Sequence, residues 1–362
     1  MNSNSRLQAY LKSFRVRFEH ALEAYFKEQI INLGKLDPSG QEMTQVIGTF
    51  SSGGGKRIRA ALVEIGYRAA GGGLSERVLK PAIAMELLHA FFLVHDDIMD
   101  RSDLRRGQPT VHRVFESTYR KLFKESDRAN REHLAQSMAI LAGDLCCAMA
   151  YRALTESDFP PAQLVRAIQN MHTMVDATVI GQILDVLTPL KGMVSEEKVI
   201  KIHRFKTACY TFRGPLQLGM ILAGASDEKL EMISQYAMPV GIAFQIKDDL
   251  LGVFGTEAEV GKSVTSDLEE GKETLLTVFA RAHGNRAQQD QIASLIGKHP
   301  ISIDELSRAQ RIFRDIGAVS YCEEKVQELV QNGKKALEGL DMEEDIAALL
   351  AELADHVISR TT

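Results

Sequence analysis

Two groups of aspartates stand in otherwise apolar sequence, 152 positions apart. The first, Asp96-Asp97-Ile98-Met99-Asp100, follows Phe91-Phe92-Leu93-Val94; the second, Asp248-Asp249, follows Phe244-Gln245-Ile246-Lys247. A carboxylate beside a buried apolar helix face is costly unless a cation or a hydrogen bond satisfies it. Residues four apart share a helix face, so Asp96 and Asp100 point the same way, with Asp97 beside them. Such oxygens suit magnesium, and two groups facing each other would let bound magnesium hold a diphosphate. The plainer alternative for the first group is a solvated helix end paired with Arg101, Arg105 and Arg106; the apolar run before it argues for burial beside a cation.

Basic residues supply the complementary chemistry. Lys56-Arg57-Ile58-Arg59 follows Gly53-Gly54-Gly55 and opens a predicted helix. Glycines let backbone N–H groups approach an anion, and a helix N-terminus favours negative charge. Arg105-Arg106-Gly107 comes five residues after Asp100, and guanidinium forks suit phosphate oxygens. Lys206-Thr207, Lys262 and Lys272 follow. Singly, each is an ordinary surface charge. Together with the acidic groups, they suggest two anions bound at once, one through metal and one directly.

Helices must position these groups. Apolar residues recur at steps of three, four and seven from Arg6 to Ile31. Further helices are expected over 57–70, 76–99, 131–154, 162–187, 196–211, 229–253, 272–283, 303–316, 320–340 and 343–359. The 76–99 segment is apolar on nearly all sides and so should be central. Strand signals are weak, and glycine and proline punctuate the joints. The expectation is one all-α domain over residues 1–362, a helical bundle with ligand in a central cavity.

Bulk properties narrow the class. With 362 residues and a net charge of −5, the chain is not expected to bind nucleic acid generally. Cys146, Cys147, Cys209 and Cys322 form no metal-type pair, which fits a reducing, cytoplasmic compartment. The N-terminus lacks the apolar core of a secretory signal, and no run of 18 apolar residues occurs, so no membrane-spanning helix is expected.

The motifs, taken in order, resemble the trans-isoprenyl diphosphate synthases, or polyprenyl synthetases, from about residue 53 to 274. Besides those quoted, they are Glu86-Leu87-Leu88-His89, Leu141-Ala142-Gly143-Asp144, Gly181-Gln182 with Asp185, Lys206-Thr207-Ala208, and Gly261-Lys262 through Asp267 to Gly271-Lys272. The resemblance implies an all-α bundle, a homodimer, and condensation of isopentenyl diphosphate with an allylic diphosphate, using about two to three magnesium ions. It assigns Asp96, Asp97, Asp100, Asp248 and Asp249 to magnesium, and Arg105, Lys206 and Lys262 to the allylic diphosphate. Lys56, Arg59, His89 and Arg106 would hold the diphosphate of isopentenyl diphosphate, and Lys272 a further diphosphate contact. Gln182 and Asp185 would line the allylic side; Thr207 and Gln245 would lie near the developing cation. The second motif departs from the family's commonest form, with Gly252 where a third aspartate often stands.

In such enzymes the product grows down a tunnel below the first acidic motif. Phe92 lies four residues before Asp96, about one helical turn of ~5.4 Å, with Phe91 beside it. As a floor, these rings resemble the farnesyl-producing type, with fifteen carbons. The Gly252 motif and the loop after it resemble geranylgeranyl-producing enzymes, with twenty. Fifteen is the reading taken, with twenty as the alternative; otherwise the two rings are ordinary core aromatics. A terpene cyclase would not need the second diphosphate site, and a non-catalytic subunit would be expected to lose motif residues. His95 is read as packing or support, His112 and His203 as structural, and Arg213 has no functional account.

Overall fold

The computed structural model describes residues 5–191, 194–256 and 263–359. Nearly all regular structure is helical, as the periodicity predicts. The one sheet among the described residues is a two-residue hairpin, pairing Leu104 with Pro109 and Arg105 with Gln108. Its turn is Arg106-Gly107, with φ of 54° and 73°. Positive φ at both central residues matches the twist of a tight hairpin.

Two compact units emerge. The first is built from Gln8–Glu64 and Leu74–Leu164, the second from Ser5–Leu7, Ile65–Gly73 and the described residues from Val165 on. In the first, the Leu79–Met99 helix packs along the Arg128–Thr155 helix. Small buried residues, Ala135, Ala139, Ala142 and Cys146, line the second helix and allow the close approach. On the Arg6–Gly34 helix, Phe14, Phe18 and Leu22 lie buried one turn apart. The same helix satisfies a carboxylate with no exposure: Arg17 Nη2 donates to Glu64 Oε2 at 2.8 Å, and the Tyr10 hydroxyl to Glu64 Oε1 at 2.8 Å.

In the second unit the Asp227–Phe254 helix is central. It packs on Ala318–Leu337, on Glu344–Ser359 and on the segment His203–Arg213. That segment is a π-helix, following Glu196–Ile202 and running into the Gly214–Leu222 helix. An uninterrupted α-helix over 196–211 was the sequence expectation; the wider winding falls on Lys206 and Thr207. Helices at Pro38–Ser52, Val111–Thr118 and Arg286–Leu295 were also not anticipated.

Among the described residues, Glu76–Met99 and Arg128–Thr155 are long and apolar enough to cross a membrane by length and composition alone; 72% and 39% of their apolar windows are buried within the protein. Both are packed helices of the first unit.

Candidate active site

In the first unit, the acidic motif ends the Leu79–Met99 helix. Asp96 and Asp100 are half-buried one turn apart, while Asp97 is fully buried. The hairpin brings Arg105 back over them: its guanidinium lies 2.7 Å from Asp97 Oδ1 and 3.6 Å from Asp96 Oδ2. Burial pushes the Asp97 carboxyl up to about 6; Arg105 opposes the shift, and Asp96 and Asp100 add to it. Asp97 Oδ2 is buried without a hydrogen bond. A hard cation would relieve both conditions.

The basic residues gather in the same unit. Arg59 Nη1 lies 3.3 Å from His89 Nε2, and Arg106 Nη1 donates to the Gly54 carbonyl at 3.0 Å. Burial, and after it Arg59, Arg106, Arg105 and Arg57, hold the His89 imidazole well below its ordinary pKa, so it is neutral at neutral pH. Burial also lowers the Arg106 pKa; Glu86 opposes that shift, and the neighbouring arginines add to it. Arg59, His89 and Arg106 thus lie close together, a group whose donors suit a multiply charged anion. Lys56 is exposed beside it.

Phe91 and Phe92 are half-buried with ring centroids 4.8 Å apart. The Phe91 ring meets His95 edge-on at 5.0 Å, and His95 Nε2 lies 3.1 Å from the Ile140 carbonyl. A Cβ on Gly143 would come within 2.2 Å of that imidazole nitrogen. His95 thus packs between two helices. His112 is likewise structural, 3.2 Å from the Thr110 hydroxyl.

In the second unit, Lys206 Nζ is 2.7 Å from Asp185 Oδ2. The Thr207 hydroxyl donates to Gln245 Oε1 at 2.6 Å, and Gln245 Nε2 donates to Asp249 Oδ1 at 2.8 Å. His203 Nε2 stands 3.0 Å from Asp249 Oδ2. Asp249 Oδ2 is nevertheless buried without a hydrogen bond, like Asp97 Oδ2 in the first motif, and His203 lies beside it. Gln182 and Asp248 are half-buried on their helices. Lys272 Nζ is 2.5 Å from Glu270 and 3.7 Å from Asp267. Lys262 lies outside the described residues. Arg213 closes the π-helix with its Nε buried and without a hydrogen bond, and nothing nearby explains it.

Gly252 changes meaning in three dimensions. A Cβ there would lie 2.2 Å from Asp267 Oδ2. The space in which a third motif aspartate would begin is filled by a carboxylate from farther along the chain.

Among the described residues, no three His, Cys, Asp or Glu side chains form a ready-made metal cage. Magnesium does not require one, because it keeps several waters and takes one or two carboxylates plus substrate phosphates. The oxygen donors of both motifs fit that mode.

The profile of the family described as Polyprenyl synthetase matches residues 40–313. The geranylgeranyl diphosphate synthase of Methanosarcina mazei is 32% identical over 308 residues, which is 85% of this chain and 86% of its own. The (2E,6E)-farnesyl diphosphate synthase of Mycobacterium bovis is 30% identical over 309 residues, 84% of this chain and 80% of its own. The crystal structure of geranylgeranyl pyrophosphate synthase from Corynebacterium glutamicum, complexed with isoprenyl diphosphate and magnesium, superposes with a TM-score of 0.89 at 32% identity, covering 98% of this chain and 99% of that one.

Proposed function

The chain belongs to the polyprenyl synthetase family, and on that premise we propose that it is a short-chain trans-prenyl diphosphate synthase, adding isopentenyl diphosphate to an allylic diphosphate. The observation that carries the reading is the pairing, within the first unit, of an acidic motif with a separate arginine–histidine cluster. One suits a diphosphate bridged by cations; the other suits a diphosphate held directly. A terpene cyclase has use for the first alone.

In this reading Asp96, Asp97, Asp100, Asp248 and Asp249 hold magnesium, which when bound would neutralise charge on the departing diphosphate. Arg105, Lys206 and Lys262 hold the allylic diphosphate, with Lys272 as a further contact, and Gln182 and Asp185 line that side. Lys56, Arg59, His89 and Arg106 hold isopentenyl diphosphate. Holding both reactants in place removes their relative freedom before reaction, worth about 7–11 kcal/mol in well-aligned cases. The oxygens of Thr207 and Gln245 face the allylic cation, their orientation fixed by the chain of hydrogen bonds to Asp249. The double bond of isopentenyl diphosphate attacks that cation, and the proton lost afterwards goes to the released diphosphate.

The family profile runs through both compact units, which supports one functional domain. Four free cysteines support a reducing, cytoplasmic compartment. For product length, fifteen carbons remains the reading, supported by the adjacent Phe91 and Phe92 rings. The Methanosarcina relative's name favours twenty.

The test is labelled isopentenyl diphosphate with dimethylallyl, geranyl or farnesyl diphosphate, with magnesium and then with excess chelator, followed by chromatography of the dephosphorylated alcohols. Expected is incorporation that needs an allylic primer and disappears with chelator. Label left unconsumed with every primer would end the proposal, and conversion of the allylic primer alone would point to a cyclase.

A further inference from the structure

We propose that Arg57, anchored by Glu19 and Glu86, is the positioning residue that holds the isopentenyl diphosphate cluster in shape. The inference rests on the assignment of Lys56, Arg59, His89 and Arg106 to that substrate.

Arg57 lies between two of these cationic side chains but does not face solvent with them. It is 3% exposed, whereas Lys56 is exposed and Arg59 half-buried. Its guanidinium is committed to protein carboxylates: Nε donates to Glu19 Oε1 at 2.8 Å, Nη2 to Glu19 Oε2 at 3.3 Å, and Nη1 to Glu86 Oε2 at 3.0 Å. Its charge also sits over the Phe18 ring, 5.5 Å from the centroid. An arginine so placed cannot reach an anion; what it governs is the backbone around it.

That backbone is unusual. Gly54 and Gly55 have φ of 89° and 116°, and Arg57 itself has φ of 53°. A non-glycine residue in the left-handed region persists when its surroundings hold it there. Here the surroundings are named. The Arg57 side chain ties the loop to the first helix and to the Leu79–Met99 helix, and the Arg57 carbonyl accepts the first helical bond from Ala61 N at 2.9 Å. Glu86 lies three residues before His89 on the same helix face, so the anchor for Arg57 and the partner of Arg59 are one rigid element. Arg106, through the Gly54 carbonyl, closes the loop on its other side.

Charge gives Arg57 a second task. Glu86 is 6% exposed and lies among Arg57, Arg59 and Arg106. With Arg57 in place, Glu86 is matched. Without it, the buried carboxylate would draw in Arg59 or Arg106, the residues meant for the diphosphate.

Steady-state kinetics on purified full-length protein separate positioning from mere folding support. Arg57→Gln is expected to raise KM for isopentenyl diphosphate about tenfold or more and to leave KM for the allylic diphosphate within about twofold. Arg57→Lys, which keeps the charge and loses the fork, should recover part of the loss. Glu19→Gln, which leaves the Arg57–Glu86 pair intact, should show a smaller rise in the same KM. If Arg57→Gln does not fold, the other two variants are read the same way. The proposal is overturned if both KM values rise together, if kcat alone falls, or if folded variants keep the parental KM. Should the parent chain itself leave isopentenyl diphosphate unconsumed, the functional reading falls and this inference with it; a fully active parent with indifferent variants removes only the inference.

Discussion

We propose Phe91 and Phe92 as the floor that limits product length. Both rings are half-buried, and Phe91 is braced by His95, itself held by the Ile140 carbonyl of the neighbouring helix. A braced ring cannot swing aside for a growing chain. Replacing both with alanine is expected to lengthen the main product by at least one five-carbon unit, read by chromatography of the alcohols. An unchanged product pattern would return the pair to ordinary packing. At this scale the sequence was informative where type and spacing suffice. Asp96 with Asp100, one turn apart on one helix, could be read directly; Lys206 and Thr207 were singled out through the family resemblance. It was silent where a partner comes from far along the chain. Asp267 fills the space beside Gly252, and Glu19 reaches Arg57, only after folding.

At the scale of elements, the approach of the Pro161–Leu187 helix to the π-helix sets the Lys206–Asp185 pair, which we propose lies on the allylic side. A Cβ on Gly181 would fall 2.4 Å from the Lys206 backbone nitrogen. The obstacle is main chain, so Gly181→Ala must push the π-helix away and take Lys206 from Asp185. Expected are a loss of about 1–3 kcal/mol in stability, measured by denaturant melts, and a raised KM for the allylic diphosphate. Parental values for both would show that the helices have room to part. The long helices were legible because their apolar stripes repeat over many turns. The π-helix was not, since a 3.6-residue period cannot reveal one extra residue per turn. The Pro38–Ser52, Val111–Thr118 and Arg286–Leu295 helices are polar-rich, with few apolar residues to mark a repeating stripe.

For the whole molecule, the prediction concerns self-association. Ile140 and Leu141 are about half exposed on the Arg128–Thr155 helix, as are Val179, Ile180, Ile183 and Val186 on the Pro161–Leu187 helix. Apolar faces of this kind are usually covered by a partner, and a homodimer is the assembly proposed. Light scattering should return twice the 40.1 kDa chain mass; a monomer at micromolar concentration would refute it. The Arg6–Gly34 helix carries a different lesson. The family profile begins at residue 40, yet Arg17 and Tyr10 neutralise the sunken Glu64, and Glu19 completes the grip on Arg57. A gene trimmed to the recognisable family boundary would remove both partners of Glu64 and one of the two carboxylates that hold Arg57. The minimal unit that can be expressed therefore starts well before the part that kinship alone would mark out.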